Sequence, residues 1–231
     1  MNSDDQKMAQ LHLQMGLSQM NSGNYPQALS EMLTAENLDP DNPVIQNNLG
    51  LAYFVRERYD LAEEHIQKAL SLKSDYTDAR NNLSGVLAER GRFDEALAAA
   101  QKAADDLTYP SPEKPLINMG IVYFKTQKYD LAKKSFLRAM TLQRDNCVAN
   151  SYYGRSLYEL KALKPAADAL DHAVGFCQRS QFDEPQYYSA LTYFELGQKQ
   201  KAEARLEELI RLYPQGNYVN RAKSMLETIR K

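Results

Sequence analysis

The 231-residue chain has no tryptophan, two cysteines, three histidines, 10 glycines and 9 prolines. So little glycine and proline leaves few turns for an all-β fold, while Ala, Leu, Gln, Glu and Lys are plentiful; the balance favours helix. Lysine and arginine number 28 against 30 acidic residues, for a net charge of −2. That balance gives no global support for reading phosphates, so nucleic acid is not an expected partner. No apolar run approaches the roughly 18–20 residues of a membrane span. The opening MNSDDQKMAQ lacks the cationic start and apolar core of a signal peptide. The chain therefore reads as soluble, and its start suits either a cytosolic protein or a mature fragment given a new initiator Met.

Catalytic patterns are absent too. His12, His65 and His172 each fall inside a predicted helix without a catalytic partner at motif spacing. HExxH, GxSxG, GxxxxGK[ST] and GxGxxG do not occur. The acidic pairs Asp4–Asp5, Glu63–Glu64, Asp105–Asp106 and Glu207–Glu208 are adjacent in sequence and diverge on a helix. These observations point away from an enzyme and toward a chain without cofactor, small-molecule substrate or metal.

What is present is a repeat. A small residue follows an aromatic by three at Tyr25/Ala28, Tyr59/Ala62, Phe93/Ala96 and Tyr129/Ala132, and the column continues less strictly at Leu163/Ala166 and Lys199/Ala202. The alanines recur every 34 or 36 residues, and 34 is the tetratricopeptide period. Gly16, Gly50, Ser84, Gly120, Gly154 and Ala190 lead them by twelve positions, and Ala35, Ala69, Ala103, Ala139 and Ala173 follow by seven. Small residues at such spacing let two helix backbones approach closely. The expected fold is all-α: a right-handed tetratricopeptide superhelix, an α-solenoid of six helix–turn–helix repeats with a C-terminal capping helix. The boundaries are an N-terminal extension 1–8, repeats 9–42, 43–76, 77–112, 113–146, 147–182 and 183–216, and a cap 217–231.

The cysteines fall at the start of the fifth repeat's first helix (Cys147) and the end of its second (Cys177). Antiparallel helices bring those ends together, so a disulfide fits the geometry and would imply an oxidising compartment. Two separate buried thiols are the alternative, and a metal site with His172 lacks a fourth ligand.

In the repeat family the first helix of each pair lines a concave face through positions 2, 5, 9, 12 and 13. Those positions make an apolar strip in the first half of the chain. Leu13, Leu17, Met20, Asn47, Leu51, Phe54, Val55, Ile117, Ile121 and Phe124 are the expected partner-binding residues, Phe54, Ile121 and Phe124 foremost. Repeats five and six turn more polar there, with Arg155, Tyr158, Glu184 and Tyr187. The polar clamp of chaperone-tail adaptors is not reproduced, since its places carry Leu13, Leu17, Asn48, Asp78 and Asn82.

The segment LGLAYFVRERYDLAEEHIQKALSLKSDYTDARNNL, the junction DLTYPSPEKPLINMG with Pro110, Pro112 and Pro115, and the six-repeat length together resemble the type IV pilus biogenesis/stability lipoproteins, the PilF/PilW/Tgl pilotins. The resemblance spans roughly residues 9–216. It implies a periplasm-facing protein, lipid-anchored in the outer membrane, that escorts the pilus secretin and supports assembly of its multimeric ring. No cysteine precedes Cys147 to carry a lipid. On this reading the chain is a mature soluble fragment whose membrane contact runs through an anchor outside it. The competing reading is a generic cytosolic or periplasmic tetratricopeptide adaptor for another complex.

Overall fold

The computed structural model describes residues 3–178, 180 and 182–230. The described residues form thirteen helices and no strand. A first compact unit, Met1–Pro110, holds α1 (Ser3–Asn21), α2 (Tyr25–Leu38), α3 (Pro43–Phe54), α4 (Tyr59–Leu72), α5 (Thr77–Glu89) and α6 (Phe93–Ala104). A second, Ser111–Lys231, holds α7 (Glu113–Lys125), α8 (Tyr129–Leu142), α9 (Cys147–Glu159), α10 (Leu163–Cys177), α11 (Glu184–Glu195), α12 (Lys199–Leu212) and α13 (Val219–Ile229). Consecutive helices pair as hairpins, and within each unit the second helix of one hairpin packs on the first helix of the next. The fold class is all-α, of the α-solenoid kind.

The glycine column explains the hairpins. A Cβ on Gly50 would lie 2.4 Å from Ile66 Cγ1 and 3.0 Å from the Ala62 carbonyl oxygen, so only a bare backbone fits there. Gly120 stands in the same relation to Phe136, with ring atoms 2.6–2.9 Å from the missing Cβ. The large side chain under the glycine comes sixteen residues later, and Ile66 and Phe136 are fully buried.

Every hairpin turn uses one left-handed residue. Gly23, Gly91 and Gly197 have φ near +75°, while Glu57, Gln127 and Lys161 hold the equivalent places at +59°. The next residue closes the helix with a six-to-one bond, as from Arg58 N–H to the Tyr53 carbonyl at 3.0 Å and from Lys128 N–H to that of Tyr123 at 2.8 Å.

The N-terminal boundary differs from the sequence reading. The first helix begins at Ser3 rather than residue 9, with Asp4 and Asp5 in its first turn, where carboxylates favour the positive end of the helix dipole. Pro115 lies in the first turn of α7, where its missing N–H would have no intrahelical acceptor. The two lengthened junctions lie between α6 and α7 and between α10 and α11. α13 packs against α12 through Val219, Ala222 and Ile229, and its other face is charged.

Candidate functional site

In the first unit the strip is carried by α1 and α3, which touch side by side. Of the expected residues, Leu17 and Val55 are well exposed, at 37% and 40%, and Val44 at 42% extends the row. Met20, Leu51 and Phe54 are half-buried. Leu17 and Leu51 share one repeat column, and Met20 and Phe54 another, so side chains 34 residues apart repeat on neighbouring helices. Phe54 leans on Tyr59 with ring centres 5.7 Å apart, which fixes its ring at the rim of the core.

Three expected residues are interior. Leu13, 1% exposed, packs with Ala9, Met32, Ile45 and Leu49 between α1, α2 and α3. Ile117 is buried in α7. Asn47 accepts a hydrogen bond from Asn82 Nδ2 at 2.9 Å and so ties α3 to α5. The position rule gives the direction of a side chain and not its depth; position 5 of these repeats points into the seam between successive first helices.

In the second unit Ile121 and Phe124 are half-buried, and Phe124 is engaged. Its ring meets Tyr129 at 5.2 Å and Tyr152 at 5.3 Å, both edge-on. The Arg155 guanidinium lies over three rings, 4.3 Å from the centre of Tyr188, 4.6 Å from Phe124 and 5.0 Å from Tyr152. Its Nη1 pairs with the Glu184 carboxylate, which also accepts from Tyr218 Oη at 2.9 Å and Ser151 Oγ at 3.2 Å. Burial on its own would lower the Arg155 pKa; Glu184 and the surrounding tyrosines outweigh it and hold the group charged. Burial likewise pushes the Tyr158 and Tyr218 phenols up, reinforced by Glu195 and Glu184 respectively. This face is therefore an aromatic belt around an ion pair. In the sequence Arg155 and Glu184 read only as more polar positions; their fixed places in consecutive repeats, among so many tyrosines, are the available signal.

A surface depression of about 680 Å³ lies away from these residues, lined from α10, α11 and α12 by Asp171, Tyr193, Lys201 and Arg205 among others. Asp171 within it accepts hydrogen bonds from Ser189, Tyr193 and Arg205. Cys147 and Cys177 form a disulfide, with Cα atoms 4.9 Å apart, which settles the choice left open in the sequence. Both sulfurs are thereby unavailable to a metal. Among the described residues no group of three or more His, Cys, Asp or Glu side chains is placed to hold a metal ion.

Tetratricopeptide-repeat models match residues 16–55, 41–107, 114–146 and 186–216. The type IV pilus assembly protein PilF of Pseudomonas aeruginosa is 28% identical over 160 residues, covering 69% of this chain and 64% of that protein. A DnaJ homolog subfamily C member 3 from Bos taurus is 22% identical over 212 residues, covering 87% of this chain and 42% of its own length. The chain thus spans less than two thirds of either relative. Among solved structures, PilW, described as a widely conserved type IV pilus biogenesis factor, superposes with a TM-score of 0.81 at 23% identity over the whole of both chains. Pseudomonas aeruginosa PilF gives 0.76 at 23% identity over 96% of this chain and all of that one. The Cut9–Hcn1 assembly gives 0.83 at 16% identity over all of this chain and 44% of that one, so likeness of fold extends well beyond pilus proteins. The chain is a tetratricopeptide-repeat scaffold protein, related in sequence to the type IV pilus assembly protein PilF and sharing the fold of PilF and PilW.

Proposed function

We propose that the chain is a non-enzymatic pilotin: it binds a segment of the type IV pilus secretin and supports the secretin's localisation to the outer membrane and its multimerisation. It works at the periplasmic face of that membrane, lipid-anchored in its native precursor. The observation that carries this reading is the sequence relation to PilF, 28% identity over 160 residues. Two features of the chain agree with it. The row Leu17, Met20, Leu51, Phe54 and Val55 offers apolar and aromatic side chains of the kind that anchor a polypeptide segment. The Cys147–Cys177 bridge suits an oxidising compartment and weighs against the cytosolic-adaptor reading.

Burial redirects the choice of test residues. Phe124 and Ile117 are built into the second unit, so their replacement would perturb folding as well as binding. Leu17→Asp with Val55→Asp alters exposed positions. The pair should abolish secretin multimers in cells while the purified variant keeps its helical circular dichroism. Multimers at normal levels would remove this row from the binding site.

A further inference from the structure

Within the second unit, α8 and its flanks carry a basic excess. Residues 128–145 carry Lys128, Lys133, Lys134, Arg138 and Arg144 against Asp130 and Asp145, a net +3, so from the chain total of −2 the remainder carries −5. Lys133 is bound to Asp130 at 3.1 Å. Lys128, Lys134, Arg138 and Arg144 are exposed and form no ion pair among the described residues. Three leucines share this surface, Leu131, Leu137 and Leu142, with exposures of 42%, 48% and 53%. At 100° per residue, Lys134 and Arg138 lie between Leu137 on one flank and Leu131 and Leu142 on the other.

The repeat supplies its own control. α4 and α8 both open with Tyr-Asp-Leu-Ala and bury the same inward set, Ala62, Ile66 and Ala69 in one and Ala132, Phe136 and Ala139 in the other. The outward positions differ in part. Leu61, Lys68 and Leu72 of α4 recur as Leu131, Arg138 and Leu142 of α8, whereas Glu64 and Gln67 are replaced by Lys134 and Leu137. One hairpin scaffold accepts either pair, so packing does not dictate Lys134 or Leu137, the two changes that make this surface more basic and more apolar than that of α4.

We propose that the outer face of α8 docks on an anionic lipid surface. Lysine and arginine meet the lipid phosphates, and leucines beside them reach the boundary between headgroups and acyl chains. Basic side chains would equally suit a nucleic acid or an acidic protein, but three exposed leucines interleaved with the charges add nothing on a phosphate backbone. No described helix is long and apolar enough to cross a membrane, so the contact is peripheral.

The test is sedimentation of the full chain with large vesicles of phosphatidylglycerol and phosphatidylcholine in equal parts, against phosphatidylcholine alone, at low salt. The chain should bind the anionic vesicles and not the neutral ones, and about 0.5 M salt should release it. Lys134→Glu with Arg138→Glu should lower partitioning at least about thirtyfold, roughly fivefold for each basic residue lost and more for the reversal. Leu137→Gln, which installs the α4 residue at unchanged charge, should also weaken binding several-fold. Circular dichroism and thermal melting of each variant should match the parent, since all three positions are exposed. Failure of the parent to bind anionic vesicles, or binding unaffected by the charge reversal, would overturn the proposal. Binding lost on charge reversal but indifferent to Leu137→Gln would show attraction by charge alone and overturn the assignment of the leucines to the headgroup–acyl boundary.

Discussion

The guanidinium carbon of Arg155 sits 4.3 Å from the centre of the Tyr188 ring while the same side chain pairs with Glu184. Arg155 is 13% and Glu184 6% exposed, so each charge depends on the other for the solvation it has lost. Arg155→Ala should destabilise the chain by about 3–5 kcal/mol, read from urea unfolding followed by circular dichroism. Arg155→Met with Glu184→Gln removes both charges and should cost less than Arg155→Ala alone. Equal costs would mean that the stacking, and not the pairing, holds the belt together.

The left-handed turn residues give a prediction of opposite sign. Glu57, Gln127 and Lys161 hold φ of +59° where the other three hairpins have glycine. A side chain pays a steric penalty there that glycine avoids, partly offset by glycine's greater freedom when unfolded. Each change to glycine should stabilise by about 0.5–1 kcal/mol, visible as a rise in thermal midpoint. The reverse change, Gly91→Ala, should lower it.

His65 makes stability depend on pH. It stacks on Tyr53 with ring centres 5.2 Å apart and shares a 2.8 Å hydrogen bond with Gln46 Oε1, which accepts from Nδ1. Burial lowers its pKa below 6.5, and the nearby Glu36 only partly opposes that. The folded state therefore takes up its proton at lower pH than the unfolded chain does. This contribution is fully present above pH 6.5 and is lost as the pH falls through the folded pKa. His65→Gln should flatten that limb of a stability-against-pH curve, and a proton NMR titration of His65 should place its midpoint under 6.5.

The disulfide closes a loop of sequence separation 30, from the first residue of α9 to the last of α10. In the loop-entropy account this is worth about 3–4 kcal/mol. Cys147→Ser with Cys177→Ser should lower the urea midpoint accordingly. Thiol titration of the native chain without reductant should find no free thiol, and two would contradict the bridge.

Much of the fold was legible because hairpin packing imposes spacing. Gly50 and Ala62, twelve apart, mark one crossing, where a Cβ on the glycine would come within 3.0 Å of the alanine carbonyl. The turns were legible through composition at Gly23, Gly91 and Gly197, but Glu57, Gln127 and Lys161 adopt the same conformation without any glycine to announce it. The candidate site was less legible, because a column fixes which way a side chain points while burial depends on what its neighbour contributes. Leu13 and Leu17 stand one helical turn apart on α1, and one is core while the other is exposed. Position 9 of the fifth repeat is likewise an outward column, yet Arg155 is sheltered there by tyrosines from two helices and by Phe124.

Secretin assembly tests the account at its centre. Membranes from cells lacking this chain, run on gels that preserve secretin multimers, should show monomer in place of multimer. Re-expression of the parent protein should restore the multimer, and the Leu17→Asp/Val55→Asp variant should not. Multimers of normal amount and outer-membrane location in the deletion strain would contradict the pilotin reading.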